Sequence, residues 1–287
     1  MSPSHSWIIL TMGDRPAEVA AAVASIHSQS VRADEIIVVG NGTELAPIDG
    51  ATTVSLPENV GICDGRNEGA LRASGEILFF LDDDARCLTD TVTADVLGAF
   101  ADRPDLAVVS MRIVDEATGI TQRRHVPRLR AGDPLRASDV TTFLGGACAV
   151  RRADFETVGG YPGPFFYSME ETDLAWALLD RGRSIHYLPD AVVHHPATVP
   201  ARHGAAFVRT ARNRVWLARR RLPLVLRPAY VAVWSVLMLV RAPSGEARRD
   251  VVRGLVAGCR ESAPEPRARM RWATVARMTR LGRPPLI

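Results

Sequence analysis

The chain contains no lysine: all 35 basic residues among its 287 are arginines. Reactions that need a lysine amine, such as Schiff-base formation or the anchoring of a cofactor, are therefore excluded. Phosphate-binding loops that contain lysine are excluded for the same reason. The sequence also lacks a nucleophile-elbow motif and a paired cysteine and histidine signature. No covalent nucleophile is indicated.

Cysteine is scarce, and no two cysteines form a C-x-x-C pair. The four are Cys63, Cys87, Cys148 and Cys259. This usage is typical of reduced, structural thiols in a cytosolic protein. The N-terminal apolar run, residues 7–12, is too short for a secretory signal and follows no basic residue. We therefore expect a cytoplasmic protein, peripheral on the inner face of the plasma membrane if it contacts a membrane at all.

The formal net charge of +3 hides a strong asymmetry. Residues 201–287 hold 19 arginines and four acidic residues, whereas residues 1–200 hold 16 arginines and 28 acidic residues. Such a split predicts an acidic catalytic body and a basic tail that faces something anionic. We place the boundary between residues 1–203 and a basic, partly apolar helical extension, residues 204–287.

Strand and helix patterns alternate over the first hundred residues or so. The predicted strands are residues 7–11, 35–39, 52–56 and 77–81, with a helix at residues 16–29 and a loop entering a helix at residues 61–73. This alternation predicts an α/β fold with a mostly parallel, doubly wound sheet. Right-handed crossovers would bring the ends of strands one, two and four to one edge. That edge would carry Thr11, Asn41 and the acidic cluster Asp82, Asp83 and Asp84.

The acidic cluster follows an apolar run, residues 77–81, that has the composition of a buried parallel strand. Ligands of open α/β sheets bind at the carboxyl ends of such strands. Three adjacent carboxylates repel one another, and Mg²⁺ or Mn²⁺ would relieve that repulsion. The alternative is a simple strand-to-helix turn with Asp84 near a helix N-terminus.

A second group of acids, Glu170, Glu171 and Asp173, occupies the first turn of a helix predicted within residues 165–182. The helix dipole favours acids there, but it does not explain the aromatic lead-in Phe165-Phe166-Tyr167, which would hold the turn against a pocket. Upstream, Gly145 and Gly146 interrupt a predicted strand, residues 142–151. They allow either close approach of a ligand or a β-bulge.

The tail combines a basic helix, residues 205–221, with an apolar stretch, residues 222–240. Prolines and Arg227 interrupt this stretch too early for a span of about 20 residues. A helix at residues 229–240 fits a surface anchor on anionic lipid better. Its flanking arginines are Arg212, Arg214, Arg219, Arg220 and Arg221. Packing against the body, or against a second copy in a homodimer, is the alternative. Nucleic-acid binding is not indicated, because basic and aromatic residues do not interleave.

Five blocks occur in a defined order: EIIVV-x-NG, NVGICDGRNEGALRASGEILFFLDDD, GGACAVRR, FFYSMEETDLAWALLDRG and VVHH. In this order they resemble the inverting family 2 glycosyltransferases of the A-type nucleotide-diphospho-sugar fold, and the rhamnosyltransferase-like branch especially. The resemblance spans about residues 6–215. Within it, Gly40 replaces an aspartate that often pairs with the base, so uridine is not specifically indicated.

The resemblance implies roles at matching positions. Donor contacts fall on Thr11, Asn41, Arg66, Asn67, Asp82 and Asp83. Metal ligation falls on Asp84 and Asp82, with His195 or His194 as a further ligand. The general base falls on Glu171, for which Glu170 and Asp173 compete. Gly145 and Gly146 are expected on the acceptor side.

The implied reaction is the metal-assisted transfer of a hexosyl or deoxyhexosyl group from a nucleotide-diphosphate sugar to an acceptor hydroxyl. Mg²⁺ or Mn²⁺ is the expected cofactor. A lipid-linked cell-envelope glycan and a small-molecule natural product are both open as acceptors. A sugar-nucleotide pyrophosphorylase shares the general fold but needs a lysine after its N-terminal loop. A non-catalytic nucleotide-sugar-binding or scaffolding protein at the membrane is the alternative of another class.

Overall fold

Nine strands and nine α-helices make up the part of the chain that the structure, a computed structural model, describes: residues 3–115, 117–130, 132–196 and 205–286. The strands are β1 His5–Thr11, β2 Glu35–Gly40, β3 Thr52–Ser55, β4 Ile77–Asp82, β5 Arg86–Cys87, β6 Leu106–Val114, β7 Ser138–Asp139, β8 Ala147–Arg151 and β9 Ser184–His194. The helices are α1 Pro16–His27, α2 Gly61–Arg72, α3 Val92–Asp102, α4 Arg152–Thr157, α5 Glu170–Asp180, α6 Ala206–Arg221, α7 Arg227–Arg241, α8 Gly245–Arg260 and α9 Trp272–Arg280.

All nine strands belong to one sheet of order β3-β2-β1-β4-β8-β6-β9-β5, with β7 paired to β9. Six of them (β1, β2, β3, β4, β6 and β9) run in one direction. Helices α1 and α3 pack on one face, and α2 and α5 pack on the other. The predicted α/β class with a mostly parallel, doubly wound sheet is confirmed.

Alternating side chains of the central strands divide between two buried clusters, because successive strand residues point to opposite faces. On one face Trp7 stacks on Phe79 with ring centroids 4.4 Å apart. On the other face Ile8 and Phe80 pack against α2 and α5. Strands buried on both faces are nearly continuous apolar runs, and this property explains why β1 and β4 were recognisable in the sequence.

Strand β8 differs from the parallel pattern, because it runs antiparallel to both of its neighbours, β4 and β6. Its first residues therefore lie at the edge where β4 ends. There the Asp82 amide donates a hydrogen bond of 3.0 Å to the Gly146 carbonyl. The antiparallel direction brings the glycine pair beside the acidic cluster.

The C-terminal helices pack on the α5 face of the sheet. Helices α6 and α8 approach closely because Gly254 and Gly258 face α6, where a β-carbon at Gly258 would lie 2.7 Å from Val215. The predicted boundary at residues 203 and 204 lies outside the described residues.

Helix α7 is largely uncovered. The stretch Leu224–Arg241, which adds a short 3₁₀ turn to α7, is long and apolar enough to cross a membrane by length and composition, and 6% of it is buried. The α-helix itself has 15 residues, or about 22 Å at 1.5 Å per residue. That length falls short of the ~30 Å hydrocarbon core of a bilayer.

Candidate active site

The ends of β1 and β4 meet at one sheet edge, as predicted. Thr11 Oγ1 donates a hydrogen bond of 2.8 Å to Asp83. Arg15 also contacts Asp83, at 3.1 Å, and forms an ion pair with Asp84. Burial raises the pKa of Asp83 to about 6 despite the opposing effects of Thr11 and Arg15. Sequence reasoning missed Arg15, which carries no motif of its own.

Asp82, Asp84 and His195 place one ligand atom each within 4.8 Å of one another. His195 Nε2 lies 3.3 Å from Asp82 and 3.2 Å from Asp84. Burial alone would lower the pKa of His195, but the two carboxylates raise it to about 9. A protonated His195 thus offsets part of the negative charge of Asp82 and Asp84. Two carboxylates and an imidazole also suit a divalent cation such as Mn²⁺, so these residues fit a metal site.

His194 is not a member of that group within the described residues. It lines a neighbouring cavity of about 510 Å³ together with Asp84 and Arg86.

Arg66 lies between the two groups of acids. Its Nη2 donates a hydrogen bond of 2.8 Å to Asp82, and its Nη1 lies 4.0 Å from Glu171 Oε1. Although burial opposes it, His195 and Arg66 hold the pKa of Asp82 well below its usual range. Arg66 Nη1 is buried without a hydrogen-bond partner in the structure. We call Asp82, Asp84 and His195 the metal-type group. The Arg66 guanidinium therefore lies between this group and the acids of α5, and its Nη1 can donate a further hydrogen bond.

Gly145 and Gly146 have no β-carbon, and this leaves room for the side chains of Arg66, Glu171 and Asp82. A β-carbon at Gly145 would overlap Arg66 Nη1 and Glu171 Oε1, and one at Gly146 would overlap the Asp82 carboxylate. The close approach predicted here is thus made by side chains of the site itself. A contact between these glycines and an acceptor stays a prediction.

Asn41 and Asn67 are bound within the scaffold around the site. Asn41 accepts a hydrogen bond of 2.9 Å from the Val60 amide and donates to Asn59. Asn67 binds the backbone of Tyr161 through both its amide nitrogen and its oxygen. Asn41 thus holds the N-terminal end of α2, the helix that carries Arg66, and Asn67 ties the middle of this helix to Tyr161.

The turn before α5 is strained. Phe166, Ser168 and Met169 have φ values of 65°, 73° and 73°, a left-handed conformation that costs on the order of 1–3 kcal/mol for each non-glycine residue. Such strain persists only where surrounding contacts hold it. It aims the first turn of α5, with Glu170 and Glu171, at Arg66.

Asn213 of α6 supplies those contacts. Its fully buried side-chain amide donates to the carbonyls of Phe165, Tyr167 and Ser168 at 2.9, 2.8 and 2.9 Å. Sequence reasoning missed this residue, because the basic character of α6 pointed to a solvent or lipid contact. The available signal was a lone asparagine among the buried positions of an otherwise apolar and arginine-rich helix.

Asp173 is bound by Arg220 and Arg221, each through two hydrogen bonds of 2.7 to 3.1 Å. All three side chains are buried. Despite burial, the two guanidiniums lower the pKa of Asp173. The prediction that Arg220 and Arg221 flank the apolar helix on a lipid-facing surface is therefore wrong: these charges bind a buried carboxylate of α5.

Glu170 is buried, and its Oε2 has no hydrogen-bond partner in the structure. Burial and the neighbouring Glu171 carboxylate raise its pKa well above the usual value. A carboxyl whose folded-state pKa is raised stabilises the fold below its unfolded pKa, and this contribution is lost as pH rises through the folded value.

We therefore expect Glu170→Gln to unfold like the wild type at about pH 4 and to be the more stable protein at about pH 9. Thermal unfolding across this range measures the difference. Glu58→Gln, at an exposed position, should follow the wild type throughout. Parallel pH curves for Glu170→Gln and wild type would contradict the expectation.

The site can be compared with known proteins. Residues 6–159 match the model of the family described as glycosyl transferase family 2. The chain is 27% identical over 183 residues to the pre-mycofactocin glycosyltransferase of Mycobacterium tuberculosis strains CDC 1551 and H37Rv. This match covers 58% of the chain and 38% of each relative, so the chain corresponds to less than half the length of these relatives.

Two solved structures are similar in fold. GalNAc-T7 with UDP, GalNAc and Mn²⁺ has a TM-score of 0.65 at 14% identity, covering 91% of this chain and 56% of that one. The mannosyltransferase PcManGT from Pyrobaculum calidifontis, in complex with GDP-Man and Mn²⁺, has a TM-score of 0.57 at 19% identity, covering 98% and 79%. At these identities the likeness establishes the fold alone.

Proposed function

Because this chain belongs to glycosyl transferase family 2, we propose that it transfers a sugar from a nucleotide-diphosphate donor to an acceptor hydroxyl. We propose that the transfer inverts the anomeric configuration. The predicted family and enzyme class are confirmed, whereas the rhamnosyltransferase-like branch stays a prediction. One observation carries the proposed mechanism: buried Arg66 contacts Asp82 of the metal-type group and lies 4.0 Å from Glu171. The proposed metal ligand Asp82 and the proposed general base Glu171 would thereby face two nitrogens of the same guanidinium.

Asp82, Asp84 and His195 would hold Mg²⁺ or Mn²⁺, with His194 as the competing imidazole. Bound there, the cation would neutralise the diphosphate that leaves with the nucleotide. Arg66 and Arg15 offset two of the three negative charges of Asp82, Asp83 and Asp84. Their positive charge keeps this acidic edge compatible with an anionic donor.

Glu171 is the proposed general base. Asp173 is bound by two arginines, and Glu170 is buried with a pKa that favours its neutral form. A quarter of the Glu171 side chain is exposed, so an acceptor can reach it. The carboxylate would take the proton of the acceptor hydroxyl as that oxygen attacks the anomeric carbon.

Donor contacts are proposed for the residues that surround this edge: Thr11, Asn41, Arg66, Asn67, Asp82 and Asp83. Gly145 and Gly146 are proposed on the acceptor side, next to Glu171. The known complexes of PcManGT and GalNAc-T7 with GDP-Man and UDP support a nucleotide-sugar donor. A hexosyl or deoxyhexosyl group, and a lipid-linked glycan or small-molecule natural product as acceptor, are proposed from the sequence.

Peripheral contact with the cytoplasmic face of a membrane is proposed for α7. Its exposed apolar residues Val233, Val236 and Val240 follow one another at helical spacing and form one stripe, which we call the valine stripe. A helix of about 22 Å is too short to cross the hydrocarbon core but suits the interface. A membrane-bound enzyme would meet a lipid-linked acceptor directly.

Thermal shift with UDP, dTDP, GDP, CDP and ADP, with and without Mn²⁺, tests the donor site. We expect one nucleotide to stabilise the wild type only with Mn²⁺, by about 2.7 kcal/mol at a hundredfold excess over Kd. Asp84→Asn should abolish this metal-dependent gain, and Asp102→Asn, at an exposed helix end, should keep it. An unchanged gain in Asp84→Asn would reject the metal assignment. No shift with any nucleotide would favour a non-catalytic scaffold.

A further inference from the structure

Four arginines line a cavity of about 410 Å³ on the side of the C-terminal helices. Arg219 comes from α6, Arg227 is the first residue of α7, and Arg267 and Arg269 lie between α8 and α9. We call this the arginine cavity. It is separate from the acidic edge of the sheet, and the proposed transfer reaction does not use it.

Two of the four arginines, Arg219 and Arg227, are oriented by backbone carbonyls that do not neutralise them. Arg219 donates to the carbonyls of Gly258 and Glu261 at 2.9 and 2.6 Å, and Arg227 donates to the carbonyl of Leu222 at 3.1 Å. Carbonyl oxygens orient guanidiniums without cancelling their charge. Burial, and then the other three arginines, lower the pKa of Arg227.

Among the described residues, one acid pairs with the lining: Glu265 contacts Arg267 at 2.9 Å. The cavity therefore keeps a net charge of about +3, a concentration of like charge that costs free energy unless an anion binds. Guanidiniums are the side chains best suited to phosphate, since each can donate two parallel hydrogen bonds.

Exposed apolar residues lie close to Arg227 in the chain. Leu224 and Val225, in the short 3₁₀ turn before α7, are 57% and 70% exposed. The valine stripe continues along the same helix that Arg227 begins. A phosphate site beside an exposed apolar helix matches the chemistry of a phospholipid, whose charged headgroup lies next to its acyl chains.

We propose that the arginine cavity binds the phosphate of an anionic phospholipid headgroup and thereby fixes α7 on the membrane surface. This inference rests on the membrane contact proposed above, and it is independent of the transfer reaction. The occupant is a bilayer lipid rather than free phosphate, because the exposed side chains of Leu224 and Val225 lie within three residues of Arg227.

Co-sedimentation of the full chain with vesicles tests the proposal. Phosphatidylcholine vesicles with and without phosphatidylglycerol are compared for the wild type, Arg267→Gln/Arg269→Gln and the control Arg32→Gln/Arg181→Gln. All four positions are exposed, so folding should survive. We expect tight binding only with phosphatidylglycerol, about 30-fold weaker in the cavity variant at about a fivefold loss per arginine, and unchanged in the control.

Several outcomes would overturn it. Equal losses in both double variants would show general charge attraction rather than a site. Calorimetric binding of inorganic phosphate to the wild type that is lost in Arg267→Gln/Arg269→Gln, without vesicle binding, would assign the cavity to a free anion.

The variant Val233→Ser/Val236→Ser tests the membrane contact of the valine stripe separately from phosphate binding in the arginine cavity. Loss of vesicle binding in this variant but not in the cavity variant would keep the contact and reject the phosphate site. Nucleotide thermal shifts, unaffected by either change, report on the donor site separately.

Discussion

Glu171→Gln should lower kcat by about 10²- to 10⁴-fold, while donor affinity changes by less than about twofold. Glutamine preserves the shape of the side chain beside Arg66 but cannot accept the proton of an acceptor hydroxyl. Because the loss concerns the transition state, it should fall on kcat rather than on donor binding. Steady-state transfer rates, together with donor binding measured by calorimetry, check both parts.

Glu170→Gln is the matched control, since it alters the adjacent residue of the same helical turn. It should keep most of the transfer activity at neutral pH. Near-full transfer by Glu171→Gln, combined with its loss in Glu170→Gln, would move the general base to Glu170.

The pH profile provides an independent check. Burial raises the pKa of Glu171, and Arg66 offsets only part of that increase. A base must be deprotonated to act, so kcat/KM should fall as pH drops through this raised pKa. The fall of kcat/KM at low pH should therefore have its midpoint above the usual carboxyl pKa. This fall should be absent in Glu171→Gln. A fall that persists in the variant would be due to another group.

Asp173→Asn should destabilise the protein by about 3–5 kcal/mol, the typical cost of leaving buried charges unpaired. Arg220 and Arg221 are both buried and both bind this carboxylate. Removing one negative charge leaves two guanidiniums without their counter-ion. Urea unfolding measures the loss as a lower midpoint.

Asp180→Asn serves as the comparison, because Asp180 also ties α5 to the C-terminal segment. Its partners are Arg271 and Thr274, and about a quarter of its side chain is exposed. Exposed ion pairs contribute about 0–1 kcal/mol, so this change should cost far less. Normal stability with abolished transfer in Asp173→Asn would instead make Asp173 part of the catalytic machinery.

The sequence was sufficient to locate the main strands and the edge that carries the acids. Continuous apolar runs identify β1, β2 and β4, and right-handed crossovers fix where their carboxyl ends meet. Thr11 and Asp83 could thus be predicted as neighbours although 72 residues separate them. The antiparallel direction of β8 could not, because an apolar run carries no information about direction.

Other features depended on register and on distant partners. His194 and His195 could not be distinguished, because the pairing of β9 with β6 shifts register at Met111 and Arg112. The roles of Asn213, Arg220 and Arg221 were equally hidden. Their partners lie 45 to 48 residues away, and no local pattern announces them.

The turn before α5 that Asn213 holds lies beyond the segment that the family model matches. That segment, residues 6–159, contains the donor-side acids but neither α5 nor α6. With the proposed roles, donor binding and acceptor activation would thus depend on different parts of the chain. A chimera joined after residue 159 would inherit the first and, without a matching α6, lose the second. Any exchange of modules between relatives must therefore move α5 and α6 together.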